Sequence, residues 1–269
     1  MNKVAMKRGD TAVFSLSAVL AAIVAVGVAY SLLVLDRRPS GPTAAAGDST
    51  SSLLVLTWGP SLCKVAPSNP GCRSGHVEQL GESFVLHGLW PQPSTEQFCD
   101  VPSRVAARDR APVSLPPDLQ TSLAAMMSDP VITTHEWYAH GTCSGVAPPE
   151  YFGYATTLTE QAGKVLEPLF DDASGRVLSA RSIRQTFDAQ FGGGAGKRVG
   201  LACRDAGGSG GAGGRGSERG SDGGSVVYEV RLSLPPVVEL PTTPGGVSLR
   251  EVLAKGPAIP AGCGQGRVP

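Results

Sequence analysis

The chain has 269 residues, in which 23 lysines and arginines balance 23 aspartates and glutamates, so its formal net charge is zero with histidine neutral. This balance excludes a protein that holds polynucleotide by overall charge alone, because such a protein needs a strongly basic face. Hydrophobic residues make up 41% of the chain and charged residues 17%, which is typical of a globular protein and excludes a wholly disordered one.

The N-terminal region predicts a membrane anchor. Residues 1–10 form a short basic N-terminus, predicted to be cytoplasmic, and residues 11–35 form an uncharged, mainly apolar run. A helix of about 20 residues crosses the bilayer core, so we expect residues 11–35 to be a transmembrane signal-anchor helix. A signal peptide cleaved near residues 44–46 and a buried core helix are the alternatives. The excess of basic residues before the run favours a C-terminal domain outside the cytoplasm, anchored or secreted after cleavage.

Two segments have the composition of unpacked chain. Residues 36–52 are rich in Pro, Gly, Ser and Ala, which predicts a flexible linker. Ten of the 19 residues in 206–224 are glycine, which loses the most backbone entropy on ordering, so a mobile loop is expected there. Its two arginines permit an RNA contact, but a solvated spacer is the favoured interpretation. Residues 53–269 otherwise suffice for one domain with its own core.

Strands and helices alternate along this domain. The predicted strands are Ser52–Trp58, Ser83–Leu86, Val199–Cys203 and Val226–Leu234. The predicted helices are Asp118–Ser128, Glu150–Leu166 and a third that is capped by Ser179 and runs to Phe191. The mixed order predicts an α+β fold, a single domain with a central, mainly antiparallel sheet flanked by helices and preceded by the transmembrane helix.

The cysteines agree with an extracytoplasmic domain. All six follow the apolar run, and an even number in such a segment predicts three disulfides. Six thiols allow many pairings, and their spacing alone does not choose among them. Buried free thiols are the alternative, and no cysteine cluster has the spacing of a zinc finger.

Three of the four histidines lie in two short segments that contain tryptophan. The first segment is FVLHGLWP (residues 84–91) with His87, and the second is HEWYAHGTC (residues 135–143) with His135 and His140. A zinc site of the HExxH type is the alternative for this segment, but the second histidine follows at i+5, about 140° around a helix from the first. Glu136 and His140 are instead i and i+4, so this carboxylate can orient the ring and raise its basicity.

Two imidazoles and a carboxylate suit a reaction that removes a proton at one point and donates one at another. RNA cleavage has this requirement, because the attacking 2′-hydroxyl loses a proton and the departing 5′-oxygen gains one. A hydrogen-bonded core position is the usual role of a lone histidine. The concentration of three in two segments favours chemistry instead.

The segments FVLHGLWPQ and HEWYAHGTC resemble the two active-site segments of the ribonuclease T2 family, which comprises secreted or compartment-enclosed endoribonucleases of α+β fold. LLVLTWGPSLC, KRVGLAC and VVYEVRLSL resemble further strands of that family in the same order. The resemblance spans about residues 53–263. It implies an enzyme that needs no metal or other cofactor.

The resemblance implies a role for each matching residue. His140 would take the proton of the 2′-hydroxyl and His87 would serve the leaving group. His135 would contact the phosphate, and Glu136 would orient or polarise the phosphoryl group. Trp90 and Gln92 would lie by the base-binding pocket, where an aromatic face stacks on any base; for Trp90, core packing is the alternative.

The family pattern also implies the disulfides Cys63–Cys72, Cys99–Cys143 and Cys203–Cys263. The sequence departs from the pattern at Ala139, where most members have a lysine whose ammonium stabilises the phosphorane. Either another cation substitutes, with Lys64, Arg73 and His76 as candidates, or the enzyme is slow. His76 itself is predicted to lie in a surface loop.

These observations predict a monomeric, metal-independent endoribonuclease that cleaves single-stranded RNA through a 2′,3′-cyclic phosphate to 3′-phosphate ends and leaves DNA intact. A weakly active or inactive module that binds RNA or a partner on the same scaffold is the alternative, supported by Ala139. A metal-dependent hydrolase is the other competitor.

Overall fold

The computed structural model of the protein describes residues 49–102, 109–129, 132–205, 225–241 and 243–269. The predicted N-terminus (1–10), the predicted anchor (11–35), nearly all of the predicted linker (36–52) and the glycine-rich segment (206–224) lie outside these described residues. Within the described ranges, no helix has both the length and the apolar character that a membrane span requires.

Six strands and eight helices are present among the described residues. The strands are β1 Ser51–Trp58, β2 Phe84–Gln92, β3 Val177–Ser179, β4 Val199–Asp205, β5 Ser225–Leu234 and β6 Gln265–Arg267. The helices are α1 Gly59–Val65, α2 Pro70–Arg73, α3 His76–Gln79, α4 Pro117–Ala124, α5 Ile132–Ala139, α6 Pro148–Asp172, α7 Ala180–Phe191 and α8 Leu249–Lys255. Short 3₁₀ turns lie at Gly141–Cys143, Ala195–Arg198, Val237–Glu239 and Pro244–Gly246.

The strands form one sheet in the order β2-β1-β5-β6-β3, and β4 pairs with β5 as well. Every pairing is antiparallel except that of β5 with β6. The prediction of an α+β fold with a mainly antiparallel sheet is therefore confirmed. The domain begins slightly earlier than predicted, because Ser51 and Ser52 belong to β1 rather than to the linker.

The sheet is covered on both faces, which explains the long apolar runs in β1 and β5. The larger core lies under α6, whose residues Tyr151, Leu158 and Leu166 are fully buried. A smaller core on the other side joins α1 and α3 to the sheet and contains Leu62, Val65, Val77, Val85, Val226 and Tyr228. Helix α7 begins at the predicted cap, because the Ser179 side chain accepts a hydrogen bond from the Ser182 N–H.

Strand β2 is longer than the predicted Ser83–Leu86, and it contains a β-bulge. Leu86 pairs with Leu56 and Gly88 with Val55, so His87 is an extra residue with no partner on β1. The extra residue allows Leu86 and Leu89, three positions apart, both to be buried in the larger core. A bulge changes the direction of a side chain, and here that side chain is His87.

Strand β5 has a similar irregularity opposite β4. Ala202 pairs with Glu229 and Cys203 with Val227, which leaves Tyr228 as the extra residue. The alternation of side chains along β5 is therefore interrupted beside Glu229.

Three disulfides stabilise the domain, and they join Cys63 to Cys72, Cys99 to Cys143 and Cys203 to Cys263. These are the three pairs that the resemblance implied. The Cys99–Cys143 bond connects the chain that follows β2 to the 3₁₀ turn that follows α5. It thus ties together the two segments that carry the histidines.

Candidate active site

The two histidine segments meet at Trp90 of β2. The indole of Trp90 stacks on the imidazole of His140, with ring centroids 5.1 Å apart and an angle of 25° between the planes. The His87 imidazole meets the same indole edge-on, with centroids 4.9 Å apart. Although His87 and His140 are distant in the chain, both rings therefore contact one indole and belong to one site.

Helix α5 brings the second segment to this site. The Glu136 carbonyl accepts a hydrogen bond from the His140 N–H at 3.0 Å, so the helical spacing continues to His140 and places both side chains on one face. The Trp90 indole N–H donates to Glu136 Oε2 at 3.0 Å. His140 Nε2 lies 4.0 Å from the same oxygen, which is too far for a hydrogen bond.

Two glycines of the motifs permit this packing. A Cβ atom on Gly88 would lie 2.1 Å from Glu136 Oε2 and 2.5 Å from Trp90 Nε1. A Cβ atom on Gly141 would lie 2.2 Å from the ring of Trp137. The motifs therefore need glycine at both positions because neighbouring side chains occupy the space of a methyl group.

A carboxylate outside both histidine segments, which was not predicted from the sequence, completes the site. Glu229 of β5 lies with its Oε1 3.0 Å from His87 Nδ1. Its other oxygen accepts hydrogen bonds from Arg231, at 2.9 Å from Nη2 and 3.3 Å from Nε. The side chain of Glu229 is only 3% exposed. In the sequence, its position as a charged residue within the mainly apolar run VVYEVRLSL is the feature that could have indicated a functional role.

The environment of His87 favours its protonated form. Burial alone would lower its pKa, but the hydrogen bond and the negative charge of Glu229 outweigh burial, and the pKa of His87 is raised above 6.5. Burial would likewise raise the pKa of Glu229, yet His87 and Arg231 together hold that pKa below 4.5. Glu229 is therefore ionised wherever His87 is protonated at ordinary pH.

The environment of His140 favours its neutral form. Burial, reinforced by the positive charges of His135 and His87, lowers the pKa of His140 to about 3. Since the ring is neutral above that pH, His140 and Glu136 do not form an ion pair at neutral pH. His135 is more exposed, and burial together with the charges of Arg110 and His87 lowers its pKa as well.

Glu136 differs from Glu229 in its protonation. Burial raises the pKa of Glu136 to about 7, although the charge of His87 and the Trp90 hydrogen bond act in the opposite direction. The site thus holds one carboxyl group that is ionised and one that takes up a proton near neutral pH.

The structure places cations near the site that the sequence analysis did not name. Ala139, where the resemblance implied a lysine in most members, is 2% exposed and its carbonyl accepts a hydrogen bond from the Phe98 N–H. Arg204 stacks on the Tyr228 ring at 4.0 Å, and its charge is close enough to lower the pKa of His87. Arg110 acts in the same way on His135.

The three cations that the sequence suggested lie on the short helices after β1. Lys64 is in α1, Arg73 is in α2 and His76 begins α3. His76 is half-buried, with its Nε2 3.1 Å from the Met127 carbonyl, so the expectation of a surface loop was wrong at this residue. This contact turns the His76 ring toward Met127.

The predicted base-contacting residues lie at the end of β2. Gln92 turns its amide nitrogen back onto its own strand, where it donates to the carbonyls of Pro91 and Trp90. One face of Trp90 is covered by His140, so only the remainder of the ring is available to a base. Trp137 packs edge-on against the buried Tyr151. Among the described residues, no group of three or more His, Cys, Asp or Glu side chains is arranged to hold a metal ion.

The sequence model of the Ribonuclease T2 family matches residues 50–207. A ribonuclease of Aeromonas hydrophila is 30% identical over 155 residues, which are 57% of this chain and 62% of that protein. Ribonuclease MC of Momordica charantia is 29% identical over 160 residues, 56% of this chain and 77% of that protein. The match therefore spans less than two thirds of the Aeromonas ribonuclease.

Solved structures are similar to the chain as well. A mutant of RNase MC1 in complex with 5′-GMP gives a TM-score of 0.48 at 25% identity, covering 70% of this chain and 90% of that one. RNase NT in complex with 5′-AMP gives 0.47 at 22% identity, covering 70% and 87%. Since the family's sequence model matches more than half of the chain, this protein belongs to the ribonuclease T2 family.

Proposed function

We propose that the protein is an endoribonuclease that cleaves single-stranded RNA by transphosphorylation, without a metal ion or other cofactor. One observation carries the proposal: two imidazoles contact the same indole and favour opposite protonation states. The pKa of His87 is raised, whereas the pKa of His140 is lowered. An acid and a base are thus both available at one pH.

The proposed reaction uses each ring once. Neutral His140 takes the proton of the 2′-hydroxyl as its oxygen forms a bond to the adjacent phosphorus. Protonated His87 gives its proton to the 5′-oxygen as the bond from phosphorus to that oxygen breaks. The products are a 2′,3′-cyclic phosphate and a free 5′-hydroxyl, and DNA, which lacks the attacking group, is not cleaved.

Hydrolysis of the cyclic phosphate reverses these roles. His87, now neutral, takes a proton from water, and His140, now protonated, returns one to the 2′-oxygen. A 3′-phosphate results. The negative charge of a bound phosphodiester raises the pKa of both rings above their values in the free protein, because an anion favours the charged imidazolium.

Glu136 and His135 are proposed to contact the phosphoryl group. Because burial raises the pKa of Glu136 to about 7, its carboxyl group is protonated below that pH and can donate a hydrogen bond to a non-bridging oxygen. A carboxylate in that place would repel the phosphate instead. His135 lies on the exposed side of α5, one residue before Glu136.

Arg204 and Arg110 are proposed to supply the positive charge that Ala139 lacks. Their charges reach His87 and His135, so they would act on a phosphate held between the histidines. Trp90 and Gln92 are proposed to border the base-binding pocket.

We further propose that the domain acts outside the cytoplasm as a monomer, anchored by residues 11–35 or secreted after cleavage.

Ala139 also favours a second candidate, a weakly active or inactive module that binds RNA or a partner. Losing one donor to the phosphorane typically costs about 10²–10³-fold in turnover. The acid–base pair would then serve binding only.

The test is to incubate residues 49–269 with single-stranded RNA in EDTA and to analyse the ends by mass spectrometry. We expect 2′,3′-cyclic phosphates from the unaltered chain and loss of at least 10²-fold in rate for His87→Ala and His140→Ala. Cleavage that EDTA abolishes would indicate a metal-dependent hydrolase. Binding of RNA without cleavage between pH 4 and 8 would indicate the second candidate.

A further inference from the structure

Glu229 is a buried carboxylate in the centre of the sheet, on a strand that belongs to neither histidine segment. Both of its oxygens are occupied, Oε1 by His87 Nδ1 at 3.0 Å and Oε2 by Arg231 Nη2 at 2.9 Å. Burying a carboxylate is costly unless it is paired and hydrogen-bonded. Its two partners offset that cost here, so the three side chains form one unit.

The contact fixes which nitrogen of His87 exchanges protons. An ionised carboxylate has only acceptors, so His87 Nδ1 must carry hydrogen in both the neutral and the protonated ring. The proton that the ring gains and loses is then always on Nε2. A general acid needs this arrangement, because one ring nitrogen is held while the other faces the reacting group.

The backbone supports the same geometry. His87 is the extra residue of the β2 bulge, and Tyr228, immediately before Glu229, is the extra residue opposite β4. Two irregularities in one sheet thus border a single hydrogen bond. On its other side the His87 ring meets the Trp90 indole edge-on, which restricts its rotation.

The charged groups around His87 come from several elements. Glu229 on β5 and Glu136 on α5 favour the protonated ring, whereas Arg204 on β4 disfavours it. His135 and His140 are coupled to the same ring, and Arg231 lies behind Glu229. Of these groups, only Glu229 forms a hydrogen bond with the ring.

We propose that Glu229 is a positioning residue for His87, holding Nδ1 so that Nε2 faces the leaving oxygen and keeping the ring protonated, and that Arg231 keeps Glu229 ionised and in place. The part of this inference that concerns catalysis, namely that His87 Nε2 faces the leaving oxygen, rests on the proposed ribonuclease function. Glu229 would act through His87, since His87 and Arg231 occupy both of its oxygens.

The test is an NMR titration of the free protein, because only four imidazoles contribute signals. In Glu229→Gln we expect the His87 pKa to fall by at least one unit, from above 6.5 to below it, since the burial that lowers it is no longer opposed. The pKa of His140 should move much less. In Arg231→Gln the His87 pKa should also fall, by less than in Glu229→Gln, because Glu229 loses the partner that helps keep it ionised and in place.

Kinetics on a dinucleotide give a second readout. For Glu229→Gln we expect kcat to fall at least tenfold with little change in KM, and the alkaline limb of kcat/KM to move to lower pH. Glu229→Asp, which keeps the charge, should restore part of the His87 pKa. Asp188→Asn is the matched control, since Asp188 accepts hydrogen bonds from Gly194 and Gly196 at the end of α7 and should leave His87 unchanged.

An unchanged His87 pKa in folded Glu229→Gln would overturn the inference, as would an unchanged or raised His87 pKa in Arg231→Gln. If Glu229→Gln does not fold, Arg231→Gln decides, because Arg231 is 41% exposed and its removal leaves no cavity in the core. The titration needs no RNA. Failure of the unaltered protein to cleave RNA would therefore overturn the proposed function and leave the role of Glu229 to be decided separately.

Discussion

His87 and His140 have the same side chain but hold their protons over different pH ranges. His87 contacts the ionised Glu229, which raises its pKa against the effect of burial, while His140 is buried beside two other imidazoles, which lowers its pKa to about 3. The local environment alone thus gives the two imidazoles opposite preferred protonation states. This division leads to a pH dependence that can be measured.

We expect kcat/KM to be highest on the acid side of neutrality and to fall as pH rises above 7. Deprotonation of His87 removes the acid, and deprotonation of Glu136, whose pKa is about 7, places a negative charge beside the phosphate. Measuring kcat/KM on a dinucleotide from pH 4 to 9 tests this. A rate that keeps rising above pH 8 would contradict the assignment of His87 as the acid.

Gly88→Ala should separate Trp90 from Glu136. The new methyl group would lie 2.1 Å from Glu136 Oε2, so the side chains must move apart and lose their hydrogen bond. We expect a loss of roughly 1–3 kcal/mol in the free energy of unfolding and at least a tenfold loss in kcat. Gly193→Ala is the control, because nothing lies within 4 Å of its new methyl group; equal effects in both variants would contradict the packing argument.

Ala139→Lys tests whether the missing lysine limits turnover. Ala139 is 2% exposed, so a lysine there must displace neighbours, and the proposed function already assigns the positive charge to Arg204 and Arg110. We expect less than a threefold gain in kcat and a lower Tm. Arg204→Gln should in turn reduce kcat, whereas a gain of tenfold or more in Ala139→Lys would show that no other cation fills the role.

At the scale of the elements, the site depends on holding α5 against the end of β2. The Cys99–Cys143 disulfide makes this connection, and beside it the Phe98 N–H donates to the Ala139 carbonyl at 3.0 Å. Cys63–Cys72 instead closes a short loop between α1 and α2. The two bonds therefore differ in loop length and in their distance from the site.

Replacing both cysteines of each bond by alanine should show this difference. The Cys99–Cys143 bond spans 44 residues and the Cys63–Cys72 bond spans 9, so chain entropy predicts losses of roughly 4 and roughly 2.5 kcal/mol. Urea unfolding measures these losses, and kcat should fall markedly only without Cys99–Cys143. Equal kcat in the two variants would show that packing alone holds the segments together.

The sequence predicted the elements with clear periodicity or caps. Helix α7 begins after Ser179 and ends before Gly192 as expected, because both ends carry local signals. Helices α1 to α3 and α8 were missed, since four to seven residues show little periodicity. Strand β2 was predicted too short because Gly88 and Pro91 break a strand pattern, and the structure accommodates them through the bulge and through the position of β2 at the sheet edge.

The same limit applies to the site. The motifs supplied His87, Glu136 and His140, whose spacing or neighbours are local in sequence. Glu229 could not be placed, because its contact with His87 spans 142 residues and exists only once β5 joins the sheet. Arg204 escaped the sequence analysis for the same reason, because β4 brings it near His87 only once it pairs with β5.

At the scale of the whole molecule, the buried titratable groups shape the pH dependence of stability. His140 has a folded pKa of about 3 and an unfolded value near 6.5, so the unfolded chain binds more protons between these values and the free energy of unfolding falls as pH falls below 6.5. Glu136 acts oppositely between 4.5 and about 7, where the folded state binds the extra proton. The two effects offset each other in the overlapping range.

His140→Gln should remove one side of this balance. Relative to the unaltered protein, its free energy of unfolding should increase by roughly 2 kcal/mol when pH is lowered from 7 to 5, since one pKa unit corresponds to about 1.4 kcal/mol. Urea unfolding at both pH values measures this. A variant that becomes relatively less stable in acid would show that His140 is protonated in the folded state.

The chain has three tryptophans, and only Trp90 stacks on an imidazole, since Trp58 contacts the rings of Phe84 and Phe170 and Trp137 contacts that of Tyr151. An imidazolium against an indole quenches its fluorescence more strongly than a neutral ring does. The emission of Trp90 is consequently an intrinsic optical signal, through which changes in the charge of the two imidazoles that contact it can be followed in solution with no label attached.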